Sequence, residues 1–428
     1  MVANVTEGLA QRLSRVTPFY YGWVIVLIAG LANASRVSSA VEVSSVFVPA
    51  LTEEYGWSKT VIASGTTIGG IGVMFAGPIV GRILDRHGPR IVVPVGAILT
   101  GLGCFVLAGV TVAPMFIVAY AFVRLSGQAL VQFPNQVTVA KWFSRRRGKA
   151  SALLVGLGAI GLISAPITVT AIIGRYGIGE AWMALGALAI VLGVVPTLVF
   201  GARRPEDIGL LPDGDNPMSS GDAYNDAGSV IDPDDWTFSE AVRSPSLWLV
   251  AISASLYSLS STGVGFHQLA YYVEQGISAG TAAAVVSMFA IGLTTGGITW
   301  GLLADRVSVR GLITLEYALA TGLMLALLSA DTPPEAFAIS FASGLLVGGA
   351  LSMPTLLLAN YFGRTNLGVI SGILQMTRGV SLGSGPVVAA LIYDFTGGYA
   401  PAFMAFAVLC AVAFMLMLFA RRPSRMTR

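Results

Sequence analysis

Charged residues are scarce in this chain. Asp, Glu, Lys and Arg make up only 11% of its 428 residues, whereas soluble globular domains carry roughly 25%. Apolar residues account for 55%, and the mean hydropathy is +0.77. Because a water-facing surface cannot be built from this inventory, the composition excludes a soluble globular protein.

Residues that carry metal, redox or nucleophilic chemistry are also few. Cys104 and Cys410 each stand alone in an apolar run, and His87 and His267 are far apart in the sequence. This spacing predicts no disulfide framework and no metal site. The chain has no G-x-x-x-x-G-K phosphate-binding motif and no nucleophile beside a base. We therefore expect neither an enzyme nor an ATP-driven pump, and no cofactor.

Long apolar segments fill most of the chain instead. A helix needs about 20 residues to cross the hydrocarbon layer, and there its backbone groups must be satisfied internally. The sequence predicts twelve such segments, at 20–49, 60–84, 91–111, 114–140, 149–174, 181–201, 246–274, 280–304, 310–330, 334–361, 367–393 and 400–420. The expected fold is an all-α integral membrane protein with twelve transmembrane helices in two pseudo-symmetric six-helix bundles.

One charged motif occurs twice, each time in a short hydrophilic gap between two apolar segments. The first copy contains Gly81, Asp85, Arg86 and Arg90, and the second, 220 residues later, contains Gly301, Asp305, Arg306 and Arg310. The same offset pairs Pro134 with Pro354 and Gly148 with Gly368. A chain that repeats once through membrane-length segments has two homologous halves, as in transporters that rock two bundles about a central site.

Domain boundaries follow from these segments. We predict an N-terminal segment at 1–19 without a signal peptide, a first bundle at 20–201, a second bundle at 246–420 and a tail at 421–428. The bundles are joined at 202–245 by an acidic linker rich in Gly, Pro, Asp and Ser, a composition typical of a flexible connection. Outside the spans, every Lys and Arg except Lys59 and Arg175 lies on the side of the termini and linker. The positive-inside rule then places both termini in the cytoplasm.

The same rule explains the basic residues at 145–149 as anchors at a membrane face, so we expect no nucleic-acid partner. We expect a multi-pass protein of the cell's inner (plasma) membrane, working as a functional monomer in the lipid bilayer.

Twelve spans in two halves, with the 81–90 motif between spans two and three, resemble the major facilitator superfamily. Three further stretches are similar to its monocarboxylate and oxalate/formate porters: Tyr20-Tyr21-Gly22-Trp23, Glu54-Tyr55-Gly56-Trp57-Ser58 and Trp142-Phe143-Ser144-Arg145-Arg146-Arg147-Gly148. The resemblance implies transport of small organic anions, often with protons. It also implies that Asp85 and Arg86 latch the cytoplasmic ends of the halves in one state of the cycle.

The chain departs from these porters in places. Eukaryotic monocarboxylate porters carry a Lys in the first span, where Glu42 stands here, and an Asp/Arg pair in the eighth span, where segment 280–304 has no charge before Asp305. The basic residue that oxalate porters carry in the eleventh span has a counterpart in Arg378.

Three arginines lie well inside the predicted spans, away from their ends: Arg36, Arg124 and Arg378. A charge at the bilayer centre costs roughly 2.5–3.5 kcal/mol, so it usually faces a wet cavity or a partner. The planar guanidinium matches a carboxylate with two parallel hydrogen bonds. We therefore predict an electropositive cavity suited to a carboxylate.

Polar side chains accompany these arginines. On an α-helix Arg124, Gln128, Gln132 and Asn135 would form one stripe, and Gln375 lies about one turn before Arg378. The stripe faces either the cavity or a neighbouring helix, where it would make interhelical hydrogen bonds. The predicted substrate site comprises Arg36, Arg124, Gln128, Gln132, Asn135, Gln375 and Arg378.

Proton coupling needs a group that titrates as the cavity alternates. Glu42 and His267 are the candidates, although a lone His in a span is also a common hydrogen-bonded packing residue. Glu316 is expected to be a structural partner on the cytoplasmic side, because third-position helices face lipid in this family.

The favoured function is secondary active transport of small mono- or dicarboxylates by alternating access, with a proton as a possible symported partner. One alternative is a proton-coupled efflux antiporter for amphipathic compounds. Another is a non-transporting membrane sensor, which the presence of the loop motif in both halves disfavours.

Overall fold

The computed structural model describes residues 10–57, 59–214, 236–330 and 332–423. All long regular elements in these residues are helices, and no strand occurs among them. Residues 10–16 are helical. The helices that follow are α1 Gly22–Ser35, α2 Val41–Tyr55, α3 Lys59–His87, α4 Pro89–Ala108, α5 Ala113–Leu125, α6 Phe133–Trp142, α7 Arg147–Tyr176 and α8 Ile178–Phe200. The later helices are α9 Phe238–Arg243, α10 Pro245–Glu274, α11 Ala279–Ala304, α12 Val309–Leu327, α13 Pro333–Ala350, α14 Met353–Phe362, α15 Leu367–Thr396 and α16 Ala400–Phe419.

The chain forms two compact units. The first comprises Met1–Arg146, Leu153–Asp235 and Gly363–Gly372, and the second comprises Arg147–Ala152, Trp236–Phe362 and Ile373–Arg428. Each unit thus takes most of one predicted half, and the first turns of α7 and α15 are assigned apart from the rest of their helices.

Eleven stretches of the described residues are long and apolar enough to cross a membrane. α15, which is 30 residues long, occupies the position of the remaining predicted span at 367–393. The all-α membrane fold predicted from hydropathy is therefore confirmed.

The first span is not one continuous helix, which differs from the uniform segment predicted at 20–49. α1 ends at Ser35, a 3₁₀ turn covers Arg36–Ser39, and Ala40 is extended (φ −84°, ψ 141°) before α2 begins. Here serine hydroxyls compete for helix carbonyls. The Ser35 hydroxyl donates to the Ala32 carbonyl (2.7 Å), and the Ser39 hydroxyl donates to the Arg36 carbonyl (2.7 Å).

The fourth span is also irregular. Between α5 and α6, residues Ser126–Gln132 form a π-helix, in which the Phe133 N–H donates to the Gln128 carbonyl. Pro134 follows directly; it has no N–H to donate, and its ring clashes with the carbonyl four residues earlier in an α-helix. Widening the preceding turn accommodates this ring, and such π segments are frequent at functional sites.

Glycine allows the tightest helix packing in the second unit, between α11 and α13. Gly292 and Gly296 lie one turn apart on α11, and Gly344 and Gly348 lie one turn apart on α13. A Cβ atom at any of these four positions would overlap the backbone of the facing helix. Without a hydrophobic driving force in lipid, such close backbone contact is what holds two spans together.

Candidate functional site

The irregular segments of the first and fourth spans meet in the first unit. Arg124, at the end of α5, is only 8% exposed, and its Nη1 donates to the Ser39 carbonyl at 3.0 Å. A Cβ atom at Gly127 would lie 2.5 Å from the Ser39 hydroxyl oxygen and 3.7 Å from Cβ of Arg36. Gly127 therefore allows the two segments to approach, and this brings Arg36 and Arg124 to the same region.

The amide side chains of the predicted stripe separate in the structure. Gln128 and Gln132 are half-buried on the π segment, whereas Asn135 is buried. The Asn135 side chain donates to the Asn33 side chain (3.1 Å) and to the Ala29 carbonyl (3.3 Å) on α1. The π segment breaks the α-helical spacing on which the stripe was predicted, and Asn135 makes the interhelical bonds of the alternative interpretation.

In the second unit, Arg378 on α15 is 9% exposed, and its Nε donates to the hydroxyl of Ser258 on α10 at 3.2 Å. Gln375 is half-buried one turn earlier on α15. Arg378 also interacts electrostatically with Tyr317, Glu316 and Tyr257.

Glu316 is placed differently from the expectation that it would be a structural partner on a lipid-facing helix. Its side chain is 0% exposed, and α12 directs it into the interior of the second unit, where the Arg378 guanidinium is a neighbouring charge. Family position alone predicted the wrong face. An acidic residue inside a span was the sequence signal that could have identified it.

His267 on α10 is half-buried and uses both ring nitrogens. Nε2 lies 3.0 Å from the Pro386 carbonyl, and Nδ1 lies 3.2 Å from the Tyr399 hydroxyl. A carbonyl only accepts, so Nε2 carries the hydrogen; in the neutral ring Nδ1 then accepts from Tyr399. Burial raises the pKa of Tyr399, and the carboxylates of Glu274 and Asp394 add to the effect, so its hydroxyl keeps the proton that it donates.

Glu42, the other predicted coupling residue, lies near the start of α2, but its side chain is outside the described part of the structure.

The two copies of the charged motif make equivalent contacts. In the first unit, the Asp85 carboxylate accepts from the backbone N–H groups of Gly368 (3.0 Å) and Val369 (2.8 Å) in the first turn of α15. In the second unit, the Asp305 carboxylate accepts from those of Gly148 (2.6 Å) and Lys149 (2.9 Å) in the first turn of α7. A carboxylate at a helix N-terminus satisfies free N–H groups and is favoured by the helix dipole.

The other motif residues divide into contacting and exposed positions. Arg90 donates to the Leu198 carbonyl through Nε (3.2 Å) and Nη2 (2.9 Å), and Arg310 donates to the carbonyls of Met417 and Leu418. A Cβ atom at Gly81 would overlap the Gly368 backbone, and one at Gly301 would lie 2.8 Å from the Gly148 carbonyl oxygen. Arg86 and Arg306 are exposed.

Asp85 has a further partner that sequence reasoning missed. Lys141, almost fully buried near the end of α6, forms an ion pair with the Asp85 carboxylate.

Two of the porter-like motifs pack against each other in the first unit. The Tyr20 hydroxyl donates to the Trp142 carbonyl at 2.9 Å, and its ring meets that of Phe143 edge-on at 5.5 Å. The motif at 54–58 ends α2: Gly56 adopts φ 68°, and the Tyr55 and Trp57 rings stack at 4.9 Å. In the described residues these motifs are structural elements of the helix ends.

Apolar helical spans and a motif repeated in two halves are typical of membrane transporters. The profile of the Major Facilitator Superfamily matches residues 22–273 and 251–428. The chain belongs to this family and is a multi-pass membrane transporter, not an enzyme.

Several characterised and uncharacterised proteins are similar to it. The uncharacterized MFS-type transporter YhjX of Escherichia coli is 25% identical over 78% of this chain and 80% of its own length. Monocarboxylate transporter 13 of Bos taurus is 24% identical over 90% and 85%. The agnestins efflux protein AgnL12 of Paecilomyces divaricatus is 24% identical over 69% and 63%.

Among solved structures, the major facilitator transporter FucP of E. coli, in the outward conformation, has a TM-score of 0.73. It is 15% identical, with 93% of this chain and 99% of FucP covered. This likeness supports the fold alone. The predicted family and its resemblance to the monocarboxylate branch are confirmed, whereas the roles assigned to individual residues stay predictions.

Proposed function

We propose that this transporter moves small organic anions, mono- or dicarboxylates, by alternating access, with a proton as coupled ion. The observation that carries the proposal is the placement of Arg36 and Arg124 where the first and fourth spans lose α-helical geometry. Non-helical backbone at membrane depth is tolerated where it is enclosed by protein or lines a water-filled cavity. It marks substrate sites in other transporters.

Arg124 supports an anionic substrate. The acceptor that the structure gives it is a neutral carbonyl, and no described residue accepts from its Nε. A guanidinium in an apolar span that is matched only by a carbonyl can gain from an incoming carboxylate. In this proposal Arg36 and Arg124 bind the carboxylate of the substrate, and Gln128 and Gln132 orient it.

In the second unit Arg378 and Gln375 are the corresponding candidates. The similarity to a monocarboxylate transporter over most of both chains supports the same substrate class. Asn135 on α6 is proposed to position α1, because its amide donates hydrogen bonds to that helix. We also propose a location in the inner membrane with cytoplasmic termini and a functional monomer.

Proton coupling is proposed to involve His267 or Glu42. A protonated His267 would donate from both nitrogens, and the Tyr399 hydroxyl oxygen could then accept. The ring can therefore change its charge without losing either contact. Asp85 and Asp305, with the other residues of their motifs, are proposed to act as the conformational latch.

The first test is uptake of labelled lactate and oxalate by proteoliposomes, with and without an imposed pH gradient. Arg36→Gln removes one charge-assisted hydrogen bond of about 1.5–3 kcal/mol, so we expect initial uptake to fall about ten- to a hundredfold. Arg175→Gln, at an exposed position near the end of α7, is the matched control and should leave uptake unchanged. Absence of saturable uptake or competition by any carboxylate would rule out the organic-anion proposal.

A second candidate, efflux of amphipathic compounds, is favoured by one observation. The second unit contains a cavity whose lining is largely apolar and includes Val264, Phe289 and Leu346. Pockets for small molecules are lined mainly by such side chains, and the similarity to AgnL12 supports the same class. Export of a fluorescent amphipathic dye that is insensitive to Arg378→Ala would place this function first.

A further inference from the structure

The carboxyl group of Glu316 is buried without hydrogen-bond donors among the described residues. The side chain is 0% exposed, and neither oxygen has a hydrogen-bond donor among the described residues. An ionised carboxylate in an apolar interior needs donors or an opposite charge, whereas the neutral acid is far less demanding. Glu316 has no set of donors that would fix it in the ionised form.

An opposite charge is present on α15. The guanidinium of Arg378 acts electrostatically on Glu316 and donates through Nε to the Ser258 hydroxyl. The two side chains are therefore a buried acid and base on neighbouring helices of one unit. In low-dielectric surroundings an ionised Glu316 compensates the charge of Arg378, whereas a protonated Glu316 leaves that charge uncompensated.

The other titratable groups around Glu316 are neutral ones. Tyr257 of α10 stacks on Tyr317 of α12 with ring centroids 4.9 Å apart, and Cys410 of α16 lies close enough to interact with the carboxylate. α11 carries no titratable residue. Glu335 on α13 and Tyr361 on α14 belong to helix ends, where Glu335 caps its own helix and Tyr361 donates to the Ala420 carbonyl. Arg378 is thus the cation that faces Glu316 among the described residues.

A cavity lies close to Glu316 in the second unit. It is lined by Ala320, one turn after Glu316 on α12, and by Tyr257, which also interacts with the Glu316 carboxylate. Ser261 and Gln268 supply polar groups to the same cavity. Water in this cavity would bring protons to within one helical turn of the carboxyl group.

We propose that Glu316 is a proton-binding site of the transporter and that its protonation releases the charge of Arg378 for a substrate anion. The carboxylate takes one proton and becomes a neutral acid, while Arg378 stays cationic. A carboxylate of the substrate then restores the charge balance, so one proton and one anionic group bind together. This transport step rests on the proposed function; the titration of Glu316 does not.

The test compares the unmodified protein with Glu316→Gln, a permanently neutral mimic, and with Glu53→Gln, an exposed control near the end of α2. Infrared difference spectra between acid and alkaline buffer report a protonated carboxyl group directly. We expect a carboxylic C=O band in the unmodified protein and in Glu53→Gln that is missing in Glu316→Gln. Identical spectra in all three proteins would overturn the proposal, whether or not any substrate is carried.

Lactate and oxalate binding adds the second readout. With one linked proton, the apparent Kd of the unmodified protein should increase as the pH is raised, by up to about tenfold per pH unit in the titrating range. In Glu316→Gln the increase should be less than about twofold per pH unit. Glu316→Asp retains a titratable carboxyl group and should restore the pH dependence, which also covers the case in which Glu316→Gln does not fold. Carboxylate binding with unchanged pH dependence in Glu316→Gln contradicts this inference alone, whereas absence of carboxylate binding in the unmodified protein contradicts the proposed function.

Discussion

Asp213 shows how much one side chain can fix at the membrane face. It is the one non-glycine among the described residues with a positive φ (59°), a conformation that Asp tolerates better than most residues. Its buried carboxylate accepts from the backbone N–H groups of Ser144 (2.9 Å), Arg145 (2.7 Å) and Arg146 (3.2 Å). The start of the predicted flexible linker is therefore anchored to the loop that follows α6.

Asp213→Ala removes all three acceptor contacts and keeps a Cβ atom in the left-handed region. In both Asp213→Ala and Asp213→Gly we expect a loss of about 1–3 kcal/mol from the unsatisfied N–H groups. Asp213→Gly also removes the cost of about 1–2 kcal/mol of a Cβ atom in the left-handed region, so its apparent Tm in detergent should lie above that of Asp213→Ala. Equal melting of the two variants would show that the backbone conformation contributes nothing.

At the level of helices, the first turns of α7 and α15 are both held by carboxylates. The Asp85 carboxylate also forms an ion pair with the buried Lys141. Removing one member of a buried ion pair leaves an uncompensated charge, which is far more harmful than losing a favourable interaction with a helix dipole.

The ion pair leads to a prediction for Asp85. We expect Asp85→Asn to destabilise the protein by about 3–5 kcal/mol, measured as a change in denaturant midpoint. Replacing Lys141 by Met in the Asp85→Asn background should recover part of the loss. If the single variant and the double variant unfold at the same midpoint, the Asp85–Lys141 pair does not contribute in the way argued above.

At the level of the whole molecule, the repeat extends from sequence to contacts. Arg90 binds the carbonyl of Leu198, and Arg310 binds that of Leu418, so donor and acceptor both keep the offset of 220 residues. The partners of Asp85 and Asp305 also follow this offset. The contacts support the two predicted bundles at 20–201 and 246–420, which stay a prediction in their boundaries.

Equivalent contacts in separate units should contribute independently. We expect Arg90→Ala and Arg310→Ala to lower the apparent Tm by similar amounts and the double variant to lower it by their sum, because contacts that share no partner are additive. Thermal unfolding of the four proteins in one detergent measures this. A double variant that is no worse than either single variant would show that the two contacts depend on each other.

Hydropathy predicted the spans well because it reports which segments are apolar enough to lie in lipid. In lipid the backbone N–H and C=O groups of such a segment must bond to one another, which a helix achieves. It reports nothing about where the helix is interrupted. The break at Arg36–Ser39 depends on serine hydroxyls that bond to nearby carbonyls, and the π segment depends on Pro134. The residues responsible for both effects are visible in the sequence. The free-energy difference between a regular and an interrupted helix is small, so the sequence alone does not decide between them.

Long-range partners were beyond the sequence. Arg124 and Arg378 were identified as buried charges, but the Ser39 carbonyl and the Ser258 hydroxyl that bind them are far away along the chain. Glu316 was assigned to a lipid-facing helix. Its proximity to Arg378 depends on how α12 is rotated about its own axis. Rotation about a helix axis is set by packing, which a single sequence does not contain.

The contact between Arg124 and Ser39 is made by the peptide carbonyl of Ser39, not by its hydroxyl. Every residue type has this carbonyl, so a substitution of Ser39 that keeps the 3₁₀ turn and fits beside Gly127 leaves the acceptor in place. An alanine scan at position 39 would therefore report the loss of the hydroxyl and not the contact with Arg124. Over evolutionary time position 39 could drift while the ligand it provides stays the same, so comparison of related sequences would not reveal it either.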